Sequence, residues 1–298
     1  MPRKAESKRF PVRTKLIVAA LLILLLGACS RPPKTVQNPA KAAADATLKL
    51  AQNLEKKQRL LDSGQTYESA INQYRRFADL RGEAYCLAGL ARLAYLQGSL
   101  QKYQQLREEL AYLVENADST ARYVLTLLDI FAAQKQEDYR QVKLLAVDSY
   151  DYPQNIRMQI LSHALQADSW LAPGLDSAAY EDLSRLSKSY RKSLKRDFCA
   201  DASVLSGALY AMAYHSYLKK NHYEALRHIS EAVDIDEKNE NFPALGYDLW
   251  LRANIHLGER EQADAISNLI RAQKIFAGFS NLKMLEKTEA QLMQLQGD

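Results

Sequence analysis

Three histidines, His215, His222 and His228, lie within fourteen positions of one another, and imidazole is both a common transition-metal ligand and a general base near neutral pH. Their placement argues against either use. They fall on a helix, a turn and a second helix, without the i, i+4 spacing that sets two ligands on one helical face, and they read as surface or partly buried side chains. The chain has no HExxH, no GxSxG, no GxxxxGK[ST] and no glycine-rich turn between a strand and a helix, so the motifs that carry hydrolytic, phosphoryl-transfer or dinucleotide chemistry are absent. The carboxylates are scattered over helical faces and single out no acid/base pair. No enzyme, metal or cofactor is expected. Cys86 and Cys199 sit among apolar helical residues and far apart, and since a disulfide needs Cα atoms within about 7 Å they read as buried free thiols.

The residues suited to binding are aromatic and basic. Tyrosine outnumbers phenylalanine 17 to 7, and its ring offers contact area with a polar handle where a side chain lies half in water. Tyr210, Tyr214 and Tyr217 recur at i, i+4 and i+7 opposite the packing residues of their helix; Tyr247, Trp250 and Asn254, and Tyr85, Arg92 and Tyr95, form similar stripes. Such rings either line a binding surface or fill gaps between neighbouring helices. A second feature is the helix 176–196, which places Leu183, Leu186, Tyr190 and Leu194 on one face and Arg185, Lys188, Arg191, Lys192, Lys195 and Arg196 around the rest. That basic patch would dock an acidic partner, anionic lipid or phosphorylated glycan, or is a solvated helical face.

These stripes need long helices, and the apolar periodicity supplies them. From about residue 43 almost to the end, apolar residues recur at helical spacing, interrupted by short Gly, Pro, Asn or Asp signals, which predicts an all-α chain. The clearest unit is 206–239, two helices around a turn at Lys219–Asn221, with Leu205, Leu209, Met212 and Ala213 facing Ala225, Ile229 and Ala232. Equivalent pairs are expected at 46–62 with 66–80, 82–98 with 100–115, 119–134 with 138–150, 154–171 with 176–196, and 243–258 with 261–276. A last helix over 281–295 carries Leu282, Leu285, Leu292 and Leu295 on one face. One hairpin cannot bury its own apolar side, so the pairs must stack.

The segment Tyr223-Glu224-Ala225-Leu226, with Ala232 seven residues beyond Ala225, resembles the second helix of a tetratricopeptide repeat. Ala70, Tyr103, Val142, Ala225 and Ala265 occupy similar places, separated by 33, 39, 83 and 40 residues. The resemblance covers most of 46–280 and implies a right-handed superhelical solenoid of about six hairpins closed by a capping helix, with a diverged pair or hinge at 153–197. It also implies that the Tyr and Trp stripes line a concave groove that captures a protein or peptide partner. Glycan or small-ligand binding is the alternative, and a closed, ring-lined pocket with convergent Asn or Asp is what would distinguish it.

At the amino terminus, Arg3, Lys4, Lys8, Arg9, Arg13 and Lys15 precede the apolar run Leu16 to Ala28, which is shorter than the roughly 20 residues of a spanning helix and follows the pattern of an export signal. Those six account for the chain's formal excess: 40 Lys and Arg stand against 35 Asp and Glu overall, with one acid, Glu6, in residues 1–28. The remainder is formally neutral, which removes the main support for nucleic-acid binding. Leu26-Gly27-Ala28-Cys29 resembles the lipobox of bacterial lipoproteins. The resemblance implies a signal peptide over 1–28, diacylglycerol and a further acyl chain on Cys29, a proline-rich tether over 29–42, and a folded body over 43–298. Two or three acyl chains hold a protein on a membrane stably, and Ser30 after the cysteine implies sorting to the outer membrane, facing the periplasm. The expectation is therefore a lipid-anchored envelope module that binds or scaffolds a partner. Cys29→Ser should abolish both cleavage before residue 29 and incorporation of radiolabelled palmitate, read by gel mobility and autoradiography; a labelled, cleaved Cys29→Ser chain would refute the anchor.

Overall fold

The computed structural model describes residues 38–116, 119–147, 149–196 and 201–296. The segment 1–28 read as a signal peptide, Cys29 and Cys199 lie outside them. Residues 43–298 form one compact unit. Among the described residues there are thirteen α-helices and no strand. They are α1 (Pro39–Lys56), α2 (Leu60–Arg75), α3 (Leu80–Leu96), α4 (Leu100–Asn116), α5 (Arg122–Lys135), α6 (Tyr139–Ala146) and α7 (Gln154–Leu171). Then follow α8 (Ala178–Arg196), α9 (Ala202–Leu218), α10 (His222–Lys238), α11 (Phe242–Gly258), α12 (Gln262–Gly278) and α13 (Leu282–Gln296).

One turn is used eight times. Its middle residue has positive φ: Gln58, Ala78, Gly98, Glu137, Lys220, Glu240, Arg260 and Ser280, all between 53° and 74°. The next residue sends its N–H back to the carbonyl five positions earlier, as in Asp79 to Tyr74, Ser99 to Ala94, Asn221 to Ser216 and Asn281 to Phe276. This is the bond that ends a helix in a Schellman motif. The same residue also opens the following helix: the side chains of Asp79, Asp138 and Asn221 accept from the N–H groups of Gly82, Gln141 and Glu224. A helix of about 17 residues and a three-residue turn repeat as a unit of 20, visible in Gln58, Ala78 and Gly98 and again in Lys220, Glu240, Arg260 and Ser280. A hairpin of two such units is thus 40 residues; Tyr103, Val142, Ala225 and Ala265 each stand five residues after the positive-φ position, so the interval of 39 compares equivalent places, and the interval of 33 from Ala70 does not.

Several sequence boundaries move for this reason. The first turn is at Lys57–Arg59 and not at Ser63–Gly64, so Gln58, read as a helical residue, is the positive-φ one. Ser63 and Gly64 lie inside α2, where the Ser63 hydroxyl donates to the Ala51 carbonyl at 2.9 Å. Helix α1 begins at Pro39, inside the segment read as tether; α6 stops at Ala146, short of the expected Tyr150. The α11–α12 turn, Glu259 to Glu261, has the same length of three residues as the others, and Leu282, expected on the packing face of α13, is 64% exposed.

Each helix packs on its chain neighbours, and the odd-numbered helices α3, α5, α7, α9 and α11 pack on one another as well. One apolar core runs from Ala44 to Ile255, with two smaller clusters among α10 to α13. At its start, α1, α2 and α3 are joined by two buried tyrosines. The ring of Tyr67 fills the space over Gly89 and that of Tyr74 the space over Gly82, where added Cβ atoms would fall 2.3 Å from ring carbons. Their hydroxyls donate across to α1, Tyr67 to Glu55 at 2.6 Å and Tyr74 to Asp45 at 2.7 Å. Gly89→Ala should therefore destabilise by about 1–3 kcal/mol, since the ring cannot retreat without breaking its hydroxyl bond. Gly64→Ala, whose Cβ meets Leu93 at an ordinary 3.7 Å, should instead stabilise by about 1 kcal/mol through helix propensity. Opposite shifts in urea midpoint check the pair.

Candidate functional site

Eight of the twelve connections are the three-residue turn, those between α4 and α5, α6 and α7, α7 and α8, and α8 and α9 being longer, and the odd-numbered helices come together through their packing on one another. Helices α1, α3, α5, α7 and α9 surround one hollow of about 650 Å³. The far ends meet: Lys56 of α1 reaches the Ser203 hydroxyl at 3.2 Å and the Asp201 carboxylate at 3.6 Å, at the start of α9. Tyr85, Leu127, Phe131 and Ile156 supply apolar lining, with Glu55, Arg92, Gln159 and His163 among the polar groups. Arg92 grips Glu55 with two bonds of 2.9 Å. Burial alone would push Glu55 up, but the Arg92 charge, with hydrogen bonds from Arg92 and Tyr67, holds it below the usual carboxylate range. Burial pushes His163 down to about 4, so the hollow presents a neutral imidazole there.

A second, smaller cavity of about 350 Å³ lies among α7, α9, α10 and α11, sharing Ser203 with the first. Tyr210 and Tyr247 contribute rings, Ser206 and Asn241 polar groups, and Asp236 and Asp248 a carboxyl pair. Asp236 is fully buried and accepts from the Ser206 hydroxyl at 2.6 Å and from Asn241 Nδ2 at 3.0 Å. Asp248 is 1% exposed, hydrogen-bonded only to Asp236, and its Oδ2 has no N–H or hydroxyl donor. Burial raises Asp236 too, opposed by its hydrogen bonds from Ser206 and Asn241, while burial and the neighbouring Asp236 charge push Asp248 well above the usual range; two carboxylates in contact do not both ionise readily, so the proton the pair holds sits on Asp248.

The aromatic stripes read from the sequence do not form one surface. Tyr85 and Arg92 face the large hollow, and Tyr210 and Tyr247 the smaller cavity. The others pack against neighbours: Tyr95 between Tyr103 and Phe131, Tyr214 on Trp170, and Tyr217 on His222. Trp250 touches all three core clusters, donates from Nε1 to Gln291 at 2.7 Å and lies under Lys287, while Asn254 bonds Gln291 and the Trp250 carbonyl. Of the basic helix, Arg191 is committed to Glu231 and Arg185 to Asp182, whereas exposed Lys188 and Lys192 make no ion pair; the side chains of Lys195 and Arg196 lie outside the described residues.

The histidines do not converge on a common ligand. His215 meets Ser169, His228 meets Tyr180 and Arg227, and His222 meets Glu259, with the Tyr180 ring against both His215 and His228. His215 and His228 are buried. Cys86 is a buried thiol pushed up to about 12 by its burial. Sequence reading missed the Asp pair. Its signal was a carboxylate on an apolar face: Asp236 continues the row Ile229, Ala232 and Val233, and Asp248 interrupts the most apolar stretch of α11.

No known family model matches the chain, and no curated protein matches it in sequence. Trp250→Ala should lower stability by about 3 kcal/mol, as expected for removal of a packed ring. Thermal unfolding decides the point: an unchanged midpoint would return Trp250 to the binding surface.

Proposed function

We propose that this chain is a binding module of the tetratricopeptide-like solenoid class, lipid-anchored through Cys29 at the bacterial outer membrane, and that it holds a peptide segment of a protein partner in the hollow among α1, α3, α5, α7 and α9. The observation that carries this reading is that hollow itself: five helices spread over 150 residues turn one face each to a shared space. Its apolar rings are interspersed with paired and unpaired polar groups, the mixture that recognises a peptide's side chains and backbone together. The groove is narrower than the aromatic stripes implied, since most of those rings serve packing. Lys188 and Lys192 offer an accessory contact for an acidic surface or anionic lipid. Catalysis is not part of the proposal, because no nucleophile, base and oxyanion donor are assembled together in either space.

The test is site-specific photo-crosslinking in cells making the full chain. A crosslinking residue at Gln159, which lines the hollow, should yield a discrete adduct, and one at exposed Lys102 on α4 should not. Leu127→Glu should reduce the Gln159 adduct at least tenfold, as loss of an apolar anchor costs about 2 kcal/mol. Equal adducts at both positions, or an adduct indifferent to Leu127→Glu, would refute the hollow as the site.

A further inference from the structure

The smaller cavity has a chemistry of its own, independent of what occupies the hollow. Of the groups that line it, the only ones with ionisable carboxyl or basic side chains are Asp236 and Asp248. Among the described residues no lysine, arginine or histidine lines it, although the charges of Lys56 and Arg252 reach the carboxyls from outside the lining. The nearest cations are engaged elsewhere: Lys56 bonds Ser203 and pairs with Asp201, and Arg252, one turn beyond Asp248, donates to Asn268 Oδ1 at 2.8 Å. The Tyr210 hydroxyl makes no hydrogen bond among the described residues, and that of Tyr247 accepts from Asn281 at 2.9 Å. The space therefore combines a buried negative charge, a second carboxyl lacking a donor, and two aromatic rings.

A buried carboxyl without a donor is costly unless something supplies one. An isostructural core would place an asparagine or a leucine at position 248. What the arrangement lacks is a cation with N–H donors, and tyrosine rings beside carboxylates also favour one through their quadrupoles. The cavity's volume of about 350 Å³ suits a short alkyl chain bearing such a head. Gly207 on the α9 wall has open space where its Cβ would stand, so the opening is unobstructed at that point.

We propose that the cavity among α7, α9, α10 and α11 is a binding site for a primary alkylammonium group, seated between the Asp236 and Asp248 carboxyls and against Tyr210 and Tyr247. Free amines and lysine side chains of a peptide share that chemistry. Before binding, Asp236 is ionised and Asp248 protonated. As the ammonium enters, its N–H groups donate to both carboxyls, the Asp248 O–H bond breaks, and that proton leaves to solvent. Charge balances: one cation enters and one proton departs. Binding should thus tighten as pH rises, by up to tenfold per unit while one proton is released, until the amine itself loses its proton near pH 10. The groups facing the pair across this range are Tyr210 from α9, Arg252 on α11 itself and Lys56 from α1.

Isothermal titration calorimetry of the full chain with pentan-1-amine tests this, repeated in buffers of different ionisation enthalpy to count protons. Saturable binding with close to one proton released at pH 7 is expected. Pentan-1-ol, which matches the chain but lacks the charge, should bind at least tenfold more weakly. Asp248→Asn should weaken the amine at least tenfold and remove the proton release. Gly207→Phe fills the opening without touching the carboxyls and should abolish binding while raising the melting temperature, because glycine is a poor helix former. It keeps the test valid if Asp248→Asn fails to fold. Nα-acetyl-lysine N-methylamide forms the second arm: binding tenfold tighter than pentan-1-amine assigns the site to a peptide lysine, and weaker or equal binding assigns it to a free amine. Absence of saturation at 10 mM amine (about 2.7 kcal/mol of binding at 1 M standard state), equal binding of pentan-1-ol, or undiminished binding to Gly207→Phe would each overturn the proposal.

Discussion

The architecture depends on a three-residue turn that places a residue in the left-handed region. Left-handed φ costs an L-residue roughly 1 kcal/mol, yet seven of the eight such positions hold a side chain other than glycine. The cost is offset locally. Each turn closes the preceding helix through a bond reaching five residues back, and at Asp79, Asp138, Asn221 and Asn281 the next residue's side chain also caps the following helix, so that there two helix ends are satisfied by one short segment. Where the turn recurs it folds each helix back on the one before, but the connections α4–α5, α6–α7, α7–α8 and α8–α9 are longer, so the shared inner face also rests on the long-range packing of α3, α5, α7 and α9 on one another.

Contacts between hairpins rest on glycine and tyrosine used together. Gly82 and Gly89 stand seven residues apart on α3, and Tyr74 and Tyr67 seven apart on α2 in the antiparallel sense. Each ring enters a slot left by a missing Cβ, and its hydroxyl then continues to a carboxylate on α1. Apolar area and a charge-assisted hydrogen bond are thereby delivered by one side chain across three helices. The polar handle of Tyr67 is thereby spent inside the fold, where phenylalanine would leave Glu55 with one donor fewer beside its two bonds from Arg92.

The two internal spaces differ in how their charges are settled. In the large hollow Glu55 and Arg92 compensate one another with two parallel bonds, so the pair is rigid and adds polarity without net charge. In the smaller cavity two like groups are pressed together with no basic residue in the described lining. A fold selected for stability alone would gain from replacing Asp248, because a buried carboxyl without its donors is worth less than a well-packed apolar side chain. The cavity is thus where local chemistry conflicts with packing, and such conflicts concentrate at sites that serve something other than folding.

Apolar periodicity and the Asn, Asp and Gly punctuation suffice to establish from sequence that the chain is all-α, where most helices lie and that they come in pairs, because both signals are local and repeat many times. The α7 boundaries, Gln154–Leu171, and the turn at Lys219–Asn221 were legible to the residue. The register of the repeat was not. Six different side chains, glutamine, alanine, glutamate, lysine, arginine and serine, occupy the left-handed position beside one glycine, so no residue type marks it, and only backbone angles reveal the interval of 20. Tertiary structure alone decided which aromatic rings face open space, since a half-exposed stripe on an isolated helix looks the same whether a neighbour such as Trp170 or Gln291 covers it. It also decided the acid pair. Asp236 and Asp248 lie on different helices, each an ordinary acid in its own segment, and they become a site only when the turn between α10 and α11 folds one face onto the other and excludes the water that would have kept them apart.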